Sequence, residues 1–212
     1  MSLSYYFLRH GETEASQAGT YTGDLDVALT REGRQMAEDF AERYSMLPWQ
    51  AVYASPLRRS ADTALPLSDR LQLEVQWRDG LREISFGQWE GKTPAQLYRE
   101  FHDDYVSWLS NAGWNGPTGG ERGIDVARRG LRVTDEIERR FPSGNVLVVS
   151  HKATIRIILC SLLGIDVSHY RDRLDMPVAS LAVVEITERG PLLKSLGDRS
   201  HLRDDLRRRQ GT

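Results

Sequence analysis

The run Asn145-Val146-Leu147-Val148-Val149-Ser150 constrains the fold more than any other part of the chain. Its middle is apolar without alternation, so both faces of the strand must be covered. A strand buried on both sides belongs in the centre of a parallel sheet with helices above and below. The rest of the chain supplies such a sheet. Leu3 to Leu8 reads as a short buried strand, Ala51 to Ala54 as another, and Glu74 to Trp77 as a third candidate. Ser180 to Ile186 and Leu192 to Leu196 form a final pair about a Gly190-Pro191 turn. The expected architecture is α/β: a three-layer sandwich, mostly parallel, with helices on both faces. The whole chain, 1–212, is expected to be one domain.

Helical patterns lie between these strands. Residues 14–29 read as a loop, after which Thr30 caps a helix whose face carries Met36, Ala37, Phe40, Ala41 and Tyr44. Ser55-Pro56 reads as the N-cap and first position of the next helix, which Pro66 should kink or end. Residues 81–91 form a glycine-punctuated loop, and 92–120 a small inserted helical flap whose aromatics pack on themselves. Glu121 to Phe141 is a long amphipathic helix, and Ala153 to Leu163 a buried one ended by Gly164. The basic end, Arg203 to Arg209, reads as a solvated tail.

Two histidines fall where strands end. His10 follows the first strand, flanked by Arg9 and Gly11, and His151 follows the central one. In open α/β sheets ligands meet the carboxyl ends of strands. Arg9 offers a fork of donors suited to phosphate, and His10 a nitrogen that is nucleophilic when neutral. Gly11 suits a close approach to a ligand or a positive φ. Arg58, Arg59 and Thr63 lie in the first turns of a helix that starts at a strand end, which suits an anion. Glu83 stands among Leu81, Ile84 and Phe86, where a carboxyl can keep its proton and serve as an acid. Each feature alone has a plainer reading: a surface Arg-His pair, solvated arginines, a surface glutamate. His102, His169 and His201 stand in polar sequence surroundings and receive no role.

Composition narrows the partners. The net charge of −2 gives no reason to expect a nucleic-acid or membrane surface, so an anionic ligand needs a local cluster of cations. A single cysteine, Cys160, excludes an internal disulfide and suits a reducing compartment. No signal peptide or membrane span is visible, which points to the cytoplasm. No third histidine or cysteine stands at zinc-like spacing, so no metal is expected.

Four segments together resemble the histidine phosphatase superfamily, also called the phosphoglycerate mutase-like family. They are Leu8-Arg9-His10-Gly11-Glu12-Thr13, Ser55-Pro56-Leu57-Arg58-Arg59, Leu81-Arg82-Glu83, and Ser150-His151-Lys152-Ala153-Thr154-Ile155-Arg156. The resemblance runs from about Leu3 to about Leu196 and implies a mostly parallel sheet between helices. It places the phospho-acceptor at His10, phosphate clamps at Arg9, Arg59 rather than Arg58, and His151, and the proton donor at Glu83. It sets Tyr21-Thr22-Gly23 near substrate. It implies a metal-independent phosphomonoesterase, without cofactor, acting on a small phosphorylated metabolite; a homodimer is compatible with this reading.

The chain departs from the family pattern in three places. Ser16 stands where members often carry asparagine, Lys152 where a small or neutral residue is frequent, and Arg122 where serine is common. Lys152 either faces solvent or reaches over the phosphate toward a second negative group. Two other functions fit the residues: a mutase that returns the phosphoryl group to a phosphoglycerate, and a non-catalytic phospho-ligand binder. Trp89-Glu90-Gly91 resembles the phosphatase branch, and Lys92 and Arg99 are the only Lys or Arg in 92–121, few for a mutase. The intact set His10, Glu83 and His151 weighs against a mere binder.

Overall fold

The computed structural model describes residues 2–209. In chain order the elements are β1 (Leu3–Arg9), α1 (Glu14–Ala18), α2 (Arg31–Tyr44), β2 (Trp49–Ala54), α3 (Arg58–Leu71), β3 (Val75–Trp77), α4 (Pro94–Glu100), α5 (His102–Ser110), α6 (Gly123–Arg140), β4 (Gly144–Ser150), α7 (Lys152–Leu163), α8 (Tyr170–Arg173), β5 (Leu181–Thr187), β6 (Gly190–Asp198) and α9 (Asp204–Arg207). Six strands form one sheet in the order β3-β2-β4-β1-β5-β6. The first four are parallel, and β5 runs antiparallel to β1.

Side chains alternate across this sheet with the period of two that a strand imposes. Tyr5 and Phe7 of β1, Tyr53 of β2 and Val146 and Val148 of β4 share one core with Ala127 and Ile137 of α6 and Ile157 and Ile158 of α7. Leu8, Val52, Leu147 and Val149 point the other way, onto Phe40 of α2 and Leu67 of α3. The central run is therefore apolar because it feeds two cores at once. The chain leaves β1 toward α2 and β2, and leaves β4 toward α7 and β5, so adjacent strand ends send their connections to opposite faces. That divergence opens a crevice at the carboxyl edge between β1 and β4.

Several local expectations are corrected. Residues 14–18 are helical, because the Thr13 hydroxyl accepts from Ser16 N while Ser16 Oγ accepts from Thr13 N, a capping box. α3 starts at Arg58 with Leu57 as N-cap; Ser55 does not cap it, and its hydroxyl meets His151 Nε2 at 2.8 Å. Pro66 does not end the helix early, since α3 continues to Leu71. The helical stretch after Thr93 is two helices, divided at Phe101. The basic end is not a solvated tail: Leu202, just before α9, and Leu206 within it dock onto Met36, Val178 and Ala179, and Arg203 pairs with Asp39 at 2.7 Å. His201 is likewise buried, edge-on to Phe40 with ring centroids 5.3 Å apart. Among the described residues no helix is long and apolar enough to cross a membrane.

Candidate active site

The ends of β1 and β4 lie side by side, with Arg9 opposite Ser150. His10 N–H continues the ladder to the Ser150 carbonyl at 3.0 Å, and the His10 carbonyl accepts from Ala179 N–H at 3.0 Å. The backbone of His10 is thus held from both sides at the mouth of a cavity of about 370 Å³. Gly11 serves a purpose other than the two expected. A Cβ there would sit 2.4 Å from the Gly33 carbonyl, so the missing side chain lets this turn touch the first turn of α2. Gly11 N–H is taken by Thr63 Oγ1 at 3.1 Å, which ties the same turn to α3.

His10 is held in one tautomer. Its Nδ1 lies 2.8 Å from the Gly11 carbonyl, which can only accept, so the proton is on Nδ1 and Nε2 carries the lone pair. Burial, then the Arg59 and Arg9 guanidiniums, hold this imidazole well below its ordinary range. A neutral, oriented imidazole is the form that attacks an electrophile.

His151 is completely buried behind this ring, their centroids 5.2 Å apart. Arg59 Nε donates to its Nδ1 at 3.1 Å, so its proton is on Nε2, facing Ser55 Oγ at 2.8 Å and Ser60 Oγ at 3.2 Å. Burial and Arg59 keep it neutral. His151 does not line the cavity; it orients Arg59, which does. Arg59 also donates to the carbonyls of Leu25 at 2.8 Å, Gly23 at 2.8 Å and Thr22 at 3.4 Å. The guanidinium therefore pins the 22–25 loop, and Arg59 lines the cavity. Arg9, buried beside it, donates to the Met176 carbonyl at 2.7 Å. Burial pushes Arg9 down to about 9, still cationic at neutral pH.

Glu83 is in polar company, which corrects the apolar setting read from its neighbours. Its Oε1 accepts from Ile84 N, Thr154 N and Thr154 Oγ1, each at 3.0 Å, and its Oε2 from Ala153 N at 3.2 Å. The carboxylate caps the start of α7, with Oε2 the less occupied oxygen. Arg129 fixes the segment from behind, donating to the carbonyls of Gly80, Arg82 and Glu83 at 2.9, 2.7 and 3.1 Å and pairing with Glu121. Nothing near Arg129 in sequence marks this role.

The other anticipated residues divide. Ser16 and Thr22 line the cavity. Gly23 does not: its N–H meets the Glu90 carboxylate at 3.0 Å, and a Cβ would lie 2.1 Å from the Ile84 carbonyl. Arg58 is exposed, paired with Asp62, and Arg122 is exposed, paired with Asp125 at 2.7 Å. Lys152 is half-buried in the cavity wall, pushed down to about 8 by burial and by Arg9 and Arg156. Arg156, Tyr170 and Arg171 also line the cavity, with Trp108 of α5, and sequence alone assigns none of them a role at the site. Among the described residues no group of three or more His, Cys, Asp or Glu is placed to hold a metal ion.

The family model of the histidine phosphatase superfamily, branch 1, matches residues 5–199. Phosphoserine phosphatase 1 of Hydrogenobacter thermophilus is 31% identical over 195 residues, 92% of each chain. Glucosyl-3-phosphoglycerate phosphatase of Mycobacterium tuberculosis is 32% identical over 171 residues, 77% of this chain and 76% of that one. Among solved structures, Bacillus stearothermophilus YhfR superposes with a TM-score of 0.87 at 27% identity, covering 94% of this chain and 98% of that one. A putative alpha-ribazole-5'-P phosphatase from Escherichia coli gives 0.85 at 26% identity, covering 94% and 98%. The chain belongs to the histidine phosphatase superfamily, a family of hydrolases, and shares its mixed sheet between helices.

Proposed function

We propose that the protein is a metal-independent phosphomonoesterase that works through a phosphohistidine at His10 on a small phosphorylated metabolite. The observation that carries this reading is the His10 tautomer, which aims a neutral Nε2 at a cavity walled by Arg9 and Arg59. In the first step Nε2 attacks phosphorus in line, the bond to the leaving oxygen breaks, and a proton on Glu83 Oε2 passes to that oxygen. The two guanidiniums offset the charge on the equatorial oxygens. In the second step Glu83 takes a proton from water, the hydroxide displaces His10 from phosphorus, and phosphate leaves. His151 acts through Arg59 rather than on the phosphate directly. Residues 92–120 act as an insert over the mouth, reaching the cavity with Pro94 and Trp108.

Relatives named as phosphatases support hydrolysis over phosphoryl return. Lys92 of the insert is already paired with Glu100 at 2.7 Å. The test is phosphate release from a panel of monoesters, with and without EDTA, together with trapping of a phosphoryl label. Turnover unaffected by EDTA and an acid-labile, base-stable label that disappears in His10→Ala are expected. A label that persists in that variant would remove His10 from the role.

A further inference from the structure

The cavity holds more positive charge than one phosphate requires. Arg9, Arg59, Lys152, Arg156 and Arg171 line it, and Glu83 is the only carboxylate among the lining residues. Lys152 and Arg156 are four residues apart on α7 and so share one face. The Arg171 guanidinium carbon lies over the Trp108 ring, 3.8 Å from its centroid, a cation–π contact that anchors the side chain. The nearest acid to Arg156 is Asp175 at 3.8 Å, whose side chain is 78% exposed, a weak partner.

Unmet donors stand in the same wall. Tyr170 is 2% exposed and its hydroxyl has no hydrogen-bond partner among the described residues. The same holds for Arg156 Nε and Trp108 Nε1. Buried donors without acceptors cost stability unless something completes them, and three cations crowded together add to that cost.

We propose that Lys152, Arg156, Tyr170 and Arg171 form a second subsite that takes a carboxylate of the substrate and rejects an ammonium group. The proposal rests on the phosphatase reading for the other end of the cavity. A carboxylate there meets the charged donors of Lys152, Arg156 and Arg171. An ammonium group meets three cations, and the one lining carboxylate is already capping α7. The preferred ester is thus a phosphorylated hydroxy acid rather than a phosphorylated amino acid.

Two matched pairs test this. Phosphoglycolate and ethyl phosphate differ in a carboxylate against a methyl group; 3-phosphoglycerate and O-phosphoserine differ in a hydroxyl against an ammonium. The wild type should favour the first member of each pair at least about tenfold in kcat/KM. Arg171→Gln and Lys152→Gln should each lower the phosphoglycolate preference by about ten- to a hundredfold, with Arg171→Lys between, since charged hydrogen bonds contribute that much. Calorimetric titration of phosphonoacetate against ethylphosphonate reads the same preference without turnover, and thermal melting checks that the variants fold. Equal binding of the two phosphonates, or a preference unchanged in both variants, overturns the subsite. A preserved phosphonate preference with no ester hydrolysed would instead overturn the phosphatase reading and leave the subsite standing.

Discussion

The two ends of the cavity are built on opposite plans. At the strand-end wall the polar groups are completed by the fold itself. His10 Nδ1 meets Gly11, Gly11 N–H meets Thr63, His151 is met on both ring nitrogens, and Glu83 accepts four bonds. At the far wall, Arg156 Nε, Tyr170 Oη and Trp108 Nε1 have no such partners among the described residues. The first wall is set before any ligand arrives, as chemistry on a developing charge requires. On the proposed reading the second is completed by the substrate, so reaction type resides in backbone-anchored strand ends and substrate choice in side chains of α5, α7 and α8.

The largest expected effect belongs to the first wall. His10→Ala should abolish phosphate release from every ester, whatever its second group; residual turnover that tracks substrate identity would break the division. Glu83→Gln should slow alkyl esters by about 10²–10⁴-fold and p-nitrophenyl phosphate less, because nitrophenolate needs little protonation. Equal losses on both would move Glu83 from proton transfer to support of α7.

The pH dependence separates the walls further. His10, His151 and His201 are buried and held below the ordinary imidazole range, His201 at about 4. Their unfolded counterparts take up protons near pH 6.5 while the folded ones do not, so the unfolded state binds more protons and stability falls as pH drops below about 6.5. The slope approaches about 1.4 kcal/mol per pH unit for each such histidine. Urea unfolding at pH 7.5, 6.5 and 5.5 measures it; a flat series in that window rules out the neutral, buried assignment. Replacing His201 by Phe should reduce the slope without altering the acid limb of kcat/KM.

A smaller effect is expected where Arg209, beyond α9, reaches the turn that follows β1. Arg209 donates to both oxygens of Glu12, at 2.8 and 3.0 Å, and Thr30 donates to one at 2.9 Å. Burial alone would raise this carboxyl; the hydrogen bonds from Arg209 and Thr30 bring it below the usual range. Its contribution is therefore present above the ordinary glutamate pKa and lost as pH falls through the folded value. Arg209→Ala should cost about 1 kcal/mol at neutral pH, the partner being partly exposed, and less in strong acid. The smallest effect is expected from Arg122→Ala, which should leave kcat/KM for both carboxylate-bearing and plain esters unchanged. A shift confined to the carboxylate-bearing ester would extend the far wall to α6.

The first wall was legible because its residues sit where a local pattern ends: an apolar run stops at His10, another at His151. Glu83 was found but its surroundings were misjudged. Leu81, Ile84 and Phe86 turn into the core, while the carboxylate turns to Ala153 and Thr154, partners that only the folded sheet brings near. Ser55 shows the same limit, since its hydroxyl answers to His151 rather than to its own helix. The basic end carried a usable signal in Leu202 and Leu206, one helical turn apart among arginines. Of the far wall only Lys152 was legible, as a departure from the family pattern. Arg156 lies on α7 and Tyr170 and Arg171 on α8, helices with no shared spacing in sequence, and cations on helices are usually solvated.

The sheet order also sets a timetable for folding. β1 lies between β4 and β5, which come from residues 144–150 and 181–187. During synthesis the first strand must wait with both edges bare while most of the chain is made, a state prone to mispairing. Contacts this distant in sequence also close slowly. His10 is made long before the strands that fix it, and a chain halted before β5 would carry this imidazole without the walls that hold it.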